Sequence, residues 1–170
     1  MIKYYTGIGS RKYPPFDNTI DVVADELHSL GYTLRSGGAE GADTAFEKAT
    51  YNKEIYLPWK GFNKNDSELI LGSDKLNNAK AWSIAKMFHP KFSSLTNSSK
   101  KLIVRNSFQV FGKQMNSPSE FVVCWTVDGK DSGGTGQAIR IARAHNIPVF
   151  NLADKNNGLE RYLEWTALTE

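Results

Sequence analysis

Tyr32-Thr33-Leu34-Arg35-Ser36-Gly37-Gly38-Ala39-Glu40-Gly41-Ala42-Asp43-Thr44-Ala45-Phe46-Glu47-Lys48-Ala49-Thr50 is the stretch on which the fold turns. A strand-like run over 32–35 meets a glycine loop over 36–41, and a short helix over 42–50 follows, carrying Ala45, Phe46 and Ala49. The same order stands upstream. Residues 1–6 read as a buried strand stopping at Gly7-Ile8-Gly9-Ser10, and Ile20, Val23, Ala24, Leu27 and Leu30 then recur at helical spacing up to Gly31. Downstream come a third strand over 54–57, a helix over 98–111 and a fourth strand over 121–125. A loop holding Gly133-Gly134-Thr135-Gly136, a helix over 137–145, a fifth strand over 147–151 and a closing helix over 156–165 complete the chain.

Strands alternating with helices predict an α/β domain, and strands apolar on both faces predict a mostly parallel sheet covered by helices on both sides. The expected architecture is doubly wound and Rossmann-like. Right-handed crossovers with one reversal give strand order 3-2-1-4-5, with a ligand crevice where the first and fourth strands diverge. From Pro58 to about Asn97 the pattern loosens around Gly61, Asn63, Asn65, Gly72 and His89-Pro90. This segment, 58–97, reads as an insertion or lid with one helix over 74–88.

The 170 residues, 40% hydrophobic and 23% charged, suit one compact domain over 1–170. No apolar run approaches the roughly 18 residues needed to cross a bilayer, and the first residues lack the pattern of a signal peptide, so the expected location is the cytoplasm. The net charge is +3, and only the middle of the chain is basic: residues 48–101 hold ten lysines against four acidic groups. Scattered among Asn and Ser, those lysines describe a solvated face and only a weak attraction for an anionic partner. Cys124 lies inside Phe121-Val122-Val123-Cys124-Trp125 and reads as a packing residue. His28, His89 and His145 are too dispersed for a metal site, so no metal is expected.

Three strand ends lead into glycine-rich turns: Gly7, Gly9, Ser10 and Arg11; Ser36, Gly37, Gly38, Ala39, Glu40 and Asp43; Gly133, Gly134, Thr135, Gly136 and Gln137. In the expected strand order all three converge on one crevice. Glycine allows close backbone approach, and free N–H groups at a helix start attract an anion, so the combination predicts a phosphate-bearing ligand. None is a Walker A loop, and none is a GxGxxG turn opening a dinucleotide helix. Arg11 and Arg105, the latter beside Asn106, are candidate phosphate clamps. Trp59, Phe62 and Trp125 are candidates to stack on a base. Among acids near the loops, Glu40, Asp43, Glu47 and Asp128 are the candidates for general acid or base work.

Gly9-Ser10-Arg11, Ser36-Gly37-Gly38-Ala39-Glu40-Gly41-Ala42-Asp43 and Arg105-Asn106 resemble the GSR, SGGAxGxD and RN elements of the DNA-processing protein A (Smf) family. That family belongs to the SLOG superfamily, together with the Lonely-guy phosphoribohydrolases. Leu57-Pro58-Trp59-Lys60-Gly61-Phe62-Asn63 and Arg105-Asn106-Ser107-Phe108-Gln109-Val110, with Cys124-Trp125-Thr126 and 133–142, are similar to stand-alone DprA-like proteins often encoded by bacteriophages.

The resemblance implies a nucleotide pocket built by these loops, and commonly a homo-dimer or higher homo-oligomer. In the phosphoribohydrolases the last motif reads PGGxGTxxE; here Ser132 replaces the proline, Gln137 the threonine and Arg140 the glutamate that assists cleavage. That charge reversal favours holding an anion over hydrolysing a nucleotide. The expected function is binding of a nucleotide or cyclic nucleotide with no further cofactor, as a phage protein sequestering an immune signal would do. The alternatives are an N-glycosidase acting on a nucleotide and a single-stranded-DNA-binding recombination mediator.

Overall fold

The computed structural model describes residues 1–156 and 158–169. Its strands are β1 (Lys3–Gly9), β2 (Tyr32–Ser36), β3 (Lys53–Leu57), β4 (Leu69–Ile70), β5 (Phe121–Trp125) and β6 (Val149–Asn151). Its helices are α1 (Thr19–Ser29), α2 (Ala42–Lys48), α3 (Asn78–Phe88), α4 (Asn97–Phe111), α5 (Gly133–Ala144) and α6 (Gly158–Thr169). The sheet order is β4-β3-β2-β1-β5-β6, and every neighbouring pair is parallel. The α/β Rossmann-like architecture is therefore present, and the five expected strands keep their order. The sheet gains a sixth strand, β4, from inside the segment read as an insertion. Two residues long and flanked by Asn65 and Gly72, it is too short to produce an apolar alternation.

The period of two in β5 shows how the sheet divides its core. Phe121 and Val123 join the cluster under α1, α2 and α6, with Tyr5, Leu27, Phe46 and Tyr162. Val122 and Cys124 point the other way, with Ile8, Val110, Ile139 and Ile141 beneath α4 and α5. A third cluster, Tyr56, Ala81, Ala85, Val104 and Phe108, packs α3 onto α4 beside β3. Tyr56 and Phe108 stack there with ring centroids 5.7 Å apart. Residues 58–97 thus supply an edge strand and a helix that covers α4. Asn77 caps α3 by accepting from the Lys80 N–H at 3.4 Å, which moves the helix start from 74 to 78.

Two glycine runs occupy different structures from those expected. β1 continues through Gly7 and Gly9 instead of stopping before them. A Cβ on Gly7 would lie 2.7 Å from Leu34 and Phe46 side-chain atoms, and one on Gly9 would lie 2.5 Å from the Trp125 carbonyl. These glycines let neighbouring elements close onto a strand. Residues 133–136 form the first turn of α5 instead of a loop ahead of it. The closing helix begins at Gly158, and residue 157 of the expected span lies outside the described residues.

Replacing Gly9 by alanine sets a methyl group against the Trp125 backbone and against the Ala42 Cβ, at 2.6 Å. Neither neighbour is a flexible side-chain end, so Gly9→Ala is expected to lower unfolding free energy by about 2 kcal/mol. Urea denaturation checks this, and Gly31→Ala, where nothing lies within 4 Å, is the control that reports backbone conformation alone.

Candidate functional site

At the carboxyl ends of β1, β2 and β5, where the strand order reverses, lies a cleft of about 480 Å³. Its size suits a small ligand, and its place is the one at which open α/β sheets bind ligands. Three turns build its base. The β1 turn supplies Gly9, Ser10, Arg11 and Lys12; the β2 turn supplies Ala39 and Asp43; the β5 turn supplies Thr126, Val127 and Ser132 to Thr135. The opposite wall is α4, through Ser99, Leu102, Ile103, Arg105, Asn106 and Gln109, with His89 and Leu95 beside it.

The β5 turn prepares the start of α5 for an anion. Ser132 is an ordinary capping residue, but its hydroxyl donates to Asp128 at 2.9 Å, and Asp128 also accepts the Lys130 N–H at 3.1 Å. No side chain caps α5, and among the described residues no group accepts from the N–H of Gly133, Gly134 or Thr135. Gly133 adopts φ +62, a conformation that glycine reaches without cost. Asn106 donates to the Gly134 carbonyl at 3.0 Å, tying this turn to α4. Uncapped N–H groups and the positive end of a helix dipole therefore face the cleft, close to the exposed side chains of Arg11 and Lys12.

Beneath them lies a buried ionic contact. The Arg105 Nη1 donates to the Gly37 carbonyl and sits 3.9 Å from Asp43 Oδ2, and both side chains are almost wholly buried. Asp43 also accepts the N–H of Gly9 at 3.1 Å and of Ala39 at 3.3 Å. Burial pushes the Asp43 pKa above the usual carboxylate value, against the opposing pull of Arg105 and these N–H groups. Phe62 lies 5.5 Å from the guanidinium carbon and closes over it. No N–H group of Nη2 has a partner among the described residues.

Of the residues expected from sequence, Gly9, Ser10, Arg11, Ala39, Asp43, Arg105, Asn106, Gly133, Gly134 and Thr135 line the cleft together. The others have different duties. Gly7 and Ser36 lie within strands, where the Ser36 hydroxyl donates to the Gly7 carbonyl at 2.6 Å. Gly37 and Gly38 stand behind the lining: Gly37 holds Arg105, and the Gly38 carbonyl accepts from Asn63 at 3.0 Å. Gly136 is buried in α5. Gln137 donates to the Ala85 carbonyl at 3.2 Å, and Arg140 donates to the Phe88 carbonyl at 3.2 Å. These two side chains fasten α5 to α3, and Arg140 holds no place in the cleft wall.

The candidate acids separate in the same way. Glu40 is exposed away from the lining, Glu47 pairs with Lys53 at 3.5 Å and accepts from Asn65, and Asp128 shapes the β5 turn. Only Asp43 reaches the cleft. The aromatic candidates do not line it: Trp125 packs edge-on to Tyr13 at 5.4 Å, and Trp59 packs edge-on to Phe62 at 5.2 Å. Cys124 is buried, with its thiol pKa pushed up to about 12 by burial. Among the described residues, no three His, Cys, Asp or Glu side chains gather as a metal site would require, and no helix is long and apolar enough to cross a membrane.

Four of the lining residues not anticipated from sequence, Ser99, Leu102, Ile103 and Gln109, sit on α4. Leu102, Arg105, Asn106 and Gln109 recur at helical spacing, so the face carrying Arg105-Asn106 was enough to find Leu102 and Gln109. His89, Leu95 and Val127 come from irregular segments and leave no such periodic trace.

No protein-family model matches the chain, and no curated protein matches it. Among solved structures, it is similar to DNA processing protein A from Helicobacter pylori, with a TM-score of 0.55 and 22% identity over 97% of this chain and 73% of that one. The likeness is one of fold. The structural study of that protein describes its binding mode for single-stranded DNA.

Arg105→Met leaves the Gly37 carbonyl and the Asp43 carboxylate without their cationic partner. A loss of about 3 kcal/mol in unfolding free energy at pH 8 is expected. Removing the arginine raises the Asp43 pKa further, so the folded variant binds a proton more readily than the unfolded chain. Its stability is therefore favoured at low pH and falls as pH rises, and the deficit against wild type is smaller at pH 5 than at pH 8. Urea titrations at the two pH values check this.

Proposed function

We propose that the cleft binds a nucleotide through its phosphate and holds it without turnover. The observation that carries this reading is the uncapped first turn of α5, whose Gly133, Gly134 and Thr135 line the same cleft as Arg11 and Lys12. A phosphate at that turn accepts from backbone N–H groups, while two exposed cations balance its charge. Binding without turnover is supported by the acids. Among the described acids Asp43 alone lines the cleft, and both of its oxygens already accept backbone N–H groups. A carboxylate engaged in that way is poorly placed to protonate a leaving base. A protein of this kind acts as a sink for its ligand, which agrees with the resemblance to phage-encoded proteins and with capture of a nucleotide immune signal, cyclic or linear.

A second reading takes the phosphate as part of single-stranded DNA. It is favoured by the fold shared with the Helicobacter pylori protein and by the exposure of Arg11 and Lys12 at the cleft.

The test is to incubate the purified protein with pooled nucleotides and cyclic nucleotides, desalt, denature and identify released small molecules by mass spectrometry. Intact nucleotide in stoichiometric amount is expected. Recovery of none contradicts the proposal, and free base in the flow-through makes the protein a glycosidase. A 30-nucleotide strand bound with a steep salt dependence, in the absence of any nucleotide captured, establishes the second reading instead.

A further inference from the structure

The deep end of the cleft contains a polar group that the protein leaves unused. Gln109, on α4 one turn beyond Arg105, is 1% exposed and lines the cleft. Its Oε1 is buried without a hydrogen-bond partner, and its Nε2 donates no hydrogen bond to the described residues. Its backbone carbonyl accepts from Thr6 at 2.6 Å and Ser119 at 3.3 Å, so these bonds leave the side chain untouched. Buried amides in folded proteins are nearly always paired, since an unpaired one forfeits its hydration for nothing.

The surroundings hold this amide in place. A Cβ on Gly37 would overlap both the Gln109 amide and the Arg105 guanidinium, so the glycine is what admits the two side chains side by side. Arg105 is committed to Gly37 and Asp43, whereas Gln109 has no such commitment. Leu102 and Ile103 line the same wall and offer an apolar surface next to a neutral polar one.

We propose that Gln109 reads the base of the bound nucleotide, its side-chain amide pairing with a nucleobase edge that presents a donor and an acceptor side by side. A phosphate does not suit this position, because it brings acceptors only and leaves the amide oxygen unmatched. A nucleobase edge matches both ends of the amide, as when glutamine pairs with adenine. The two ends have nearly the same shape, so a half-turn of the amide exchanges them without disturbing the packing. Leu102 and Ile103 then meet the face of the ring. This inference rests on the nucleotide-phosphate reading of the cleft, and adds that the bound species is a nucleotide with its base attached rather than a sugar phosphate.

The test is calorimetric titration of wild type, Gln109→Leu and Gln109→Met with the four nucleoside 5′-monophosphates and with ribose 5-phosphate, alongside the melting temperature of each ligand-free protein. Wild type is expected to bind at least one nucleotide ten or more times as tightly as ribose 5-phosphate. Both variants are expected to lose about tenfold for that nucleotide, to keep their ribose 5-phosphate affinity within threefold, and to melt no lower than wild type. The melting temperature separates reading from support, since a structural amide lowers it when removed. Unchanged nucleotide preference in the variants, or loss of both ligands together with a fall in melting temperature, overturns the proposal. Failure of wild type to bind any of the five, or any member of the pooled nucleotide and cyclic-nucleotide panel, overturns the phosphate reading itself, and is distinct from binding that ignores the substitution.

Discussion

A single buried guanidinium sets the distance between the two halves of this molecule. Arg105 extends from α4, above the sheet, to the Gly37 carbonyl in the turn after β2, and it stands beside Asp43 at the start of α2. Asp43 in turn receives the Gly9 and Ala39 N–H groups, so the first two strand ends and the cleft's cover are joined through one residue pair. Such a pair is costly to desolvate and adds little net stability relative to well-packed apolar groups. Its value is positional: it ties α4 to the turn after β2 and to the start of α2 along one side of the cleft.

The glycines act as the complement of that polar contact. Gly9 and Gly37 have no space for a side chain, because the Trp125 backbone and Arg105 occupy it. Gly41, at φ +78, brings the start of α2 against the Ser10 and Arg11 backbone. The glycines around the first two strand ends therefore bring elements together, whereas Gly133 and Gly134 are open on all sides. A turn that is free of both side chain and cap is where an approaching ligand meets bare N–H groups. The same residue type thus serves two purposes within one cleft, and local packing separates them.

The fold was legible because its signals are periodic and cumulative. Alternating strands and helices, with β5 apolar on both faces, were sufficient for the sheet and its reversal point. The strand too short to repeat, β4, was not. The site was legible to the extent that it depends on the turns after the strands, which bring Ser10, Asp43 and Gly133 to the cleft, and on the Arg105-Asn106 motif of α4. Side-chain direction was less accessible. Gln137 and Arg140 share the α5 motif with cleft-lining glycines, yet their helical positions turn them toward α3. Trp59 follows β3 and Trp125 ends β5, yet they pack onto Phe62 and Tyr13. Gln109 can be placed on the Arg105 face of α4 by helical spacing, but that its amide oxygen has no partner becomes visible only in the structure.

The cleft combines a buried polar scaffold that fixes its width with an uncapped helix start that can receive an anion. The claim that this helix start receives the phosphate is tested most directly by amide NMR of protein labelled with 15N-glycine and 15N-threonine, on addition of the nucleotide recovered from the pooled panel. The account predicts that the Gly133, Gly134 and Thr135 amide resonances move on binding, while those of Gly31 and Gly72, outside the cleft, stay in place. Binding that leaves 133–135 unmoved would contradict it.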